Sequence, residues 1–186
     1  MASIQYSNLI ENVVIIELES HSDQRGLFVE TWRKEWLPGS TEMVQANRAD
    51  RSAGCLVGLH YHLHQADYWY VTAGQARVVL HDLRIDSPTE GITQGIELDG
   101  YGDPSHRGVY IPPGIAHGFS ALTDTTITYF VDHNYDPNDE LGLAWNDPDV
   151  AADWGIDDPI LSERDKLNPK KSELIENLRP VYKKSF

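Results

Sequence analysis

Residues 54–74 read GCLVGLHYHLHQADYWYVTAG, and their pattern decides the fold. They hold three histidines (His60, His62, His64), one carboxylate (Asp67) and a run of aromatics at Tyr68, Trp69 and Tyr70. His60, His62, His64, Tyr68 and Tyr70 share one parity. In an extended chain successive side chains alternate between faces, so this pattern predicts strands with one aromatic or apolar face and one chemically active face. Gly54 and Gly74 stand at the ends as turn residues.

Outward from this stretch the chain repeats short strands separated by turn signals. Towards the N-terminus, residues 13–16 form a β-branched run that reads as a strand buried on both faces. Residues 22–26 read as a turn, 27–31 as a strand, 34–38 as a short helical turn, 42–47 as a strand and 50–54 as a loop. Gln45 and Asn47 fall on one face of that strand. Towards the C-terminus, residues 75–84 alternate well, 86–91 make a tight connection, 93–98 form another strand and 99–107 a polar loop. Residues 108–119 give a strand, a Pro-Pro-Gly turn and His117 just after it, and 125–131 a buried strand. Many short strands with turns between them predict an all-β sandwich or barrel. After Tyr135 the composition shifts to repeated Asp and Pro. That segment reads as an ordered, loop-rich tail, anchored by Trp145 and Trp154, with a helical piece at residues 172–177.

The whole chain sets bounds on function. At 186 residues, 40% of them hydrophobic, one domain over residues 1–186 is expected. A formal charge of −14 argues against a nucleic-acid backbone or an anionic membrane as the main partner. A single cysteine, Cys55, excludes an internal disulfide and reads as a small buried apolar residue. The N-terminal residues lack a basic, apolar leader pattern, and no run reaches the length of a membrane helix, so a cytoplasmic protein is expected.

The spacing Gly54, His60-x-His62, Asp67, Gly74 resembles the first signature of the cupins, with Asp where Glu is usual. Pro112-x-Gly114-x-x-His117 resembles the core of the second. Cupins are double-sheet jelly rolls whose inner faces hold the site. Imidazoles with a carboxylate suit a divalent transition metal, so His60, His62, Asp67 and His117 form a candidate metal set. The other reading is that these are interior polar groups in a site that works without metal.

A closer resemblance covers nearly the whole chain. The sequence is similar to the dTDP-4-dehydrorhamnose 3,5-epimerase family. It is carried by Asp23-x-Arg25-Gly26-x-Phe28-x-Glu30, Gln45-x-Asn47, Gly58-Leu59-His60-Tyr61 and Ser87-Pro88-Thr89-x-Gly91. Tyr110-Ile111-Pro112-x-Gly114-x-Ala116-His117-Gly118-Phe119, Tyr129, Tyr135-x-Pro137, Trp145-x-Asp147-Pro148 and Ile160-Leu161-Ser162-x-Arg164-Asp165 complete it. The resemblance implies a homodimeric, cofactor-free cupin jelly roll acting on a nucleotide-linked 4-keto-6-deoxyhexose. It implies His60 as general base, Asp165 as the carboxylate paired with it and Tyr129 as the acid on the opposite face of the sugar. It places His117 near the hexose, Arg25 and Arg164 at the diphosphate, Phe28 and Glu30 at the nucleotide across the dimer, and Gln45, Asn47 and Tyr135 in the rest of the pocket.

The residue types fit that chemistry. A C4 ketone acidifies the C3 and C5 protons, and an imidazole near neutrality can remove one. Inversion needs a proton returned from the other face, which a phenol can supply. Two departures stand out. The family pattern has Arg where this chain has Val57, and Lys near the sugar oxygen where this chain has Asp67. A carboxylate beside a developing enolate opposes the reaction. Three readings follow: an epimerase with another donor, a metal-dependent cupin on His60, His62, Asp67 and His117, or a sugar-nucleotide binding protein without turnover.

Overall fold

The computed structural model describes residues 2–101, 106–175 and 178–183. Two antiparallel sheets face each other. The first has six strands in the order β1-β2-β10-β7-β12-β5, and the second five in the order β13-β6-β11-β8-β9. Their ranges are β1 Ser3–Tyr6, β2 Val14–Leu18, β5 Gln45–Arg51, β7 Asp67–Ala73, β10 His106–Ile111 and β12 Thr125–Val131 in the first sheet. In the second they are β6 Leu56–Tyr61, β8 Gln75–Asp82, β9 Thr93–Asp99, β11 Ile115–Ala121 and β13 Leu141–Gly142. A hairpin of β3 (Ser20–Asp23) and β4 (Gly26–Val29) stands apart from both. This is the expected cupin-type jelly roll.

The layers follow from alternation along the strands. Trp69 and Val71 of β7, Val78 and Leu80 of β8, Val109 and Ile111 of β10, and Phe119 of β11 turn into one buried cluster between the sheets. Each such side chain contributes roughly 1.5–3 kcal/mol by leaving water. The opposite residues of the first sheet, including Val14, Ile16, Tyr68, Tyr70 and Tyr110, pack under Leu37, Trp32 and Trp36. The outer face of the second sheet, with Leu56, Tyr61 and Val79, is covered by Leu143, Val150 and Trp154 from the C-terminal segment. The tail is thus ordered by apolar anchors, and Trp154 is one of the two expected from sequence.

Several local expectations are adjusted. The strand of residues 13–16 is β2, Val14–Leu18; it alternates between buried and half-buried positions instead of burying both faces. The turn at residues 22–26 and the strand after it are a single hairpin whose register pairs Asp23 with Gly26. The loop expected at residues 50–54 begins later, because β5 continues to Arg51 by pairing with β12. The helical piece lies at Lys171–Glu173, and residues 176 and 177 of the expected span fall outside the described residues. His81 and His106 are strand residues and are buried. Cys55 is half-buried and free.

Tyr68 and Tyr70 share parity with His60 and His62 yet do not share their face. The chain leaves one sheet after Tyr61 and enters the other at Asp67, so parity restarts. Asp67 and Trp69 face inward, and the tyrosines face outward. Gly74 makes the turn between β7 and β8 with φ +79°, and a Cβ there would lie 2.1 Å from the Asp124 carbonyl oxygen, so only glycine fits.

Candidate active site

The site lies between the sheets, where strands of both supply side chains. In the second sheet β6 and β11 pair with His60 opposite His117. In the first, β12 sits between β5 and β7, with Tyr129 opposite Asn47 on one side and Trp69 on the other. His60, His62, Asp67, Trp69, His117, Tyr129, Arg51, Val57 and Glu140 line one cavity together with Gln65 and apolar neighbours.

The His60 ring is fixed from behind. Its Nε2 lies 2.6 Å from Asp165 Oδ1. Asp165 sits in the short helix α1 (Glu163–Lys166), which is capped by Ser162. The Ser162 hydroxyl accepts from the Asp165 backbone N–H at 3.1 Å and donates to Asp165 Oδ2 at 2.9 Å. This reciprocal cap is a local reason for the chain to turn helical here. Burial works to raise the Asp165 carboxyl. The His60 hydrogen bond and charge, the Ser162 hydroxyl and the Gly58 N–H outweigh it and hold Asp165 below the usual carboxylate range. An ionised Asp165 accepts from Nε2–H, so the basic atom of the ring is Nδ1. That atom is 3.6 Å from Glu140 Oε1, and both residues line the cavity. Gly58 makes this possible: at φ +113°, a Cβ would meet Gly118 Cα and the His117 carbonyl oxygen at 2.8 Å each.

Tyr129 lines the same cavity from the opposite sheet. Burial, and then the charges of Asp67 and Glu140, push its phenol above the ordinary value, while Arg51 acts in the other direction. The phenol therefore holds its proton at neutral pH and can donate it. Tyr129 also packs against Trp69, whose ring lies 6.2 Å away.

Three of the four residues of the candidate metal set converge. His62, Asp67 and His117 each offer one ligand atom, all within 4.8 Å of one another. His60, whose Nε2 is held by Asp165, is not part of that group. His117 donates Nδ1–H to the Ile115 carbonyl at 2.8 Å. Burial pushes its pKa down to about 4, so the ring is neutral. His64 is exposed.

The other expected residues fall into three places. Gln45 and Asn47 share a face of β5 and are joined by a 2.9 Å hydrogen bond, and Gln45 Oε1 accepts from the Tyr135 N–H at 3.2 Å. These three are together, beside the cavity lining. Arg164 joins Asp165, His60, Val57 and Arg51 along a neighbouring groove and pairs with Glu140 at 3.2 Å. Arg25 and Phe28 line an exposed groove on the β3–β4 hairpin, and Phe28 and Glu30 line another beside it. Within one chain these three do not join the central cavity.

The structure also places residues that sequence reasoning missed. Arg51 follows Gln45, Asn47 and Ala49 on the inward face of β5, so extending the alternation by four residues would have found it. Glu140 touches His60, His62 and Arg164, but nothing in its Asp-rich surroundings distinguishes it. Its neighbour Asp139 accepts from the backbone N–H groups of Leu63, His64 and Gln65 and fixes the loop between β6 and β7.

An imidazole oriented by an acid and sharing a jelly-roll cavity with a phenol is an arrangement suited to proton transfer. Residues 7–173 match the family model described as dTDP-4-dehydrorhamnose 3,5-epimerase. The dTDP-4-dehydrorhamnose 3,5-epimerase of Methanothermobacter thermautotrophicus is 36% identical over 166 residues, covering 84% of this chain and 88% of that one. The dTDP-4-dehydrorhamnose 3-epimerase of Streptomyces niveus is also 36% identical, over 165 residues, covering 84% and 78%. Among solved structures, NovW of Streptomyces spheroides, a 4-keto-6-deoxy sugar epimerase, superposes with a TM-score of 0.90 at 33% identity, covering 98% of this chain and 94% of that one. The chain belongs to the dTDP-4-dehydrorhamnose 3,5-epimerase family and is an isomerase, as the sequence resemblance implied.

Proposed function

We propose that this chain epimerises a dTDP-linked 4-keto-6-deoxyhexose at C3, C5 or both, using His60 as base and Tyr129 as acid. The observation that carries the reading is His60, held by Asp165 at 2.6 Å, lining one cavity with the Tyr129 phenol of the facing sheet, whose pKa is raised. Nδ1 of His60 takes the proton next to the ketone. Asp165 then faces an imidazolium and stabilises it. Tyr129 returns a proton to the opposite face, and these two transfers use groups of the chain alone. The names of the relatives support the substrate class, and a related Legionella pneumophila enzyme has been solved in complex with dTDP-4-keto-L-rhamnose.

Arg164 and Arg51 flank Val57 along the groove beside the cavity. They supply the positive charge for the diphosphate that the arginine missing at residue 57 would have given. Arg25, Phe28 and Glu30 act on a second copy of the chain. Phe28 is 66% exposed on a hairpin outside both sheets, which suits a homodimer whose hairpin completes the partner's site. His117 packs against Trp69 at 5.2 Å and forms the wall at the sugar. Gln45, Asn47 and Tyr135 form the rim. No helix among the described residues is long and apolar enough to cross a membrane; we place the enzyme in the cytoplasm, as one domain.

Exchange of solvent deuterium into C3 and C5, followed by NMR, tests the mechanism. His60→Asn is expected to lose exchange by roughly 100-fold or more. Tyr129→Phe is expected to keep exchange with return to the starting configuration and to lose the inverted product. Exchange at the normal rate in His60→Asn overturns the assignment.

A further inference from the structure

We propose that His62, Asp67 and His117 bind one divalent transition-metal ion in the same cavity. Each histidine donates its Nδ1–H to a backbone carbonyl: His62 to Asp139 at 2.7 Å and His117 to Ile115 at 2.8 Å. Both tautomers are thereby fixed with Nε2 as the unprotonated nitrogen. This outer arrangement is typical of metal-binding histidines. Asp67 Oδ2 accepts from Trp69 Nε1 at 2.9 Å, which turns Oδ1 toward His62 Nε2, 3.9 Å away.

The Gln65 side chain shows where positive charge belongs. Its amide nitrogen lies 3.1 Å from His62 Nε2 and 2.9 Å from Asp67 Oδ1, donating one hydrogen to each. Two acceptors that converge on one donor also converge on a cation. All three ligand residues are buried, at 5%, 3% and 5% exposure. No lysine or arginine among the described residues forms an ion pair with Asp67, whose hydrogen-bond donors are neutral. A buried carboxylate in that setting gains from a cation.

The distances fit with small movement. Ligand atoms about 2.1 Å from an ion lie at most about 4.2 Å apart, against the present limit of 4.8 Å. Gln65 must swing aside. Two imidazoles and one carboxylate select Fe, Mn, Co, Ni or Zn over Mg and Ca. When bound, the ion supplies Lewis-acidic positive charge beside Asp67, where the chain itself offers only a carboxylate. The proposal does not depend on the epimerase reading, because binding is measured without substrate.

The test uses untagged full-length protein, stripped with a chelator and titrated with Co(II), with visible absorption as readout. Elemental analysis then counts ions after loading with Co(II) or Zn(II) and desalting. The expected result is one ion per chain, with binding weakened more than about tenfold in Asp67→Asn and in His62→Gln, and unchanged in His60→Asn. Circular dichroism on each variant reports its fold. Retention of far less than one ion per chain overturns the proposal, as does undiminished binding in folded Asp67→Asn. Loss of the ion in folded His60→Asn overturns the assigned ligand set.

Discussion

His60 stands between two carboxylates with different duties. Asp165 holds Nε2 from the outer side of β6, and Glu140 faces Nδ1 within the cavity. The inward position of His60 was legible from alternation, because it sits in an unbroken strand. Asp165 was legible only by resemblance: it lies 105 residues away in sequence, and no local periodicity carries such a pairing. Val57 and Asp67 were visible departures, but Arg51, which the proposed function sets against the first, required knowing how far β5 runs. Arg51→Met is therefore expected to raise the KM for the nucleotide sugar about tenfold, consistent with the loss of one charge-assisted contact, with a smaller effect on kcat. Steady-state kinetics measure this, and an unchanged KM removes Arg51 from the binding groove.

At the scale of elements, the connection between β8 and β9 explains a sequence motif that binds nothing in the cavity. Asp82, fully buried, accepts from Arg84 through both carboxylate oxygens at 2.8 Å, from Ser87 at 2.7 Å and from Thr89 at 2.8 Å. Ser87-Pro88-Thr89-x-Gly91 was legible as a turn, yet its hydroxyls serve a buried ion pair that periodicity cannot reveal. Asp82→Ala leaves Arg84 buried without its partner and is expected to cost about 3–5 kcal/mol in urea unfolding. A loss under 1 kcal/mol would mean that Arg84 finds water instead. The same limit on alternation explains the tyrosines after Asp67. Residues 62–66 carry the chain from one sheet to the other, and a pattern counted through that crossing assigns Tyr68 and Tyr70 to the wrong face. β1 and β13 escaped notice because edge strands need little apolar alternation.

At the scale of the molecule, the two sheets and their cluster of aliphatic residues were readable, since strand count and turn spacing come from local pattern. The placing of the hairpin outside both sheets was not, because its short strands carry no local pattern that separates them from the rest. Mixing His60→Asn dimers with Phe28→Ala dimers under exchange conditions tests the shared site. If each hairpin completes the partner's cavity, roughly a quarter of the cavities become intact and activity reappears; mixtures as inactive as their components mean that each chain works alone. Acid stability is a second global property. His81 is fully buried, donates Nδ1–H to Thr93 Oγ1 at 2.8 Å and has its pKa pushed down to about 4 by burial and by Lys171. The unfolded chain takes up this proton below about pH 6.5, whereas the native state resists until about pH 4. Stability from His81 is thus full above that window and is lost as pH falls through it, by an amount on the order of 3 kcal/mol. Urea midpoints at pH 7 and pH 5 are expected to differ less in His81→Gln than in the parent chain.

The clasp between Asp165 and His60 also orders events in time. During synthesis the strands β1 to β12 leave the ribosome first and can close around their aliphatic interior, while the segment bearing Ser162 and Asp165 is still to come. A nascent barrel at that stage has the His60 imidazole without the carboxylate that fixes its tautomer, so under the proposed mechanism competence arrives only once residue 165 has emerged.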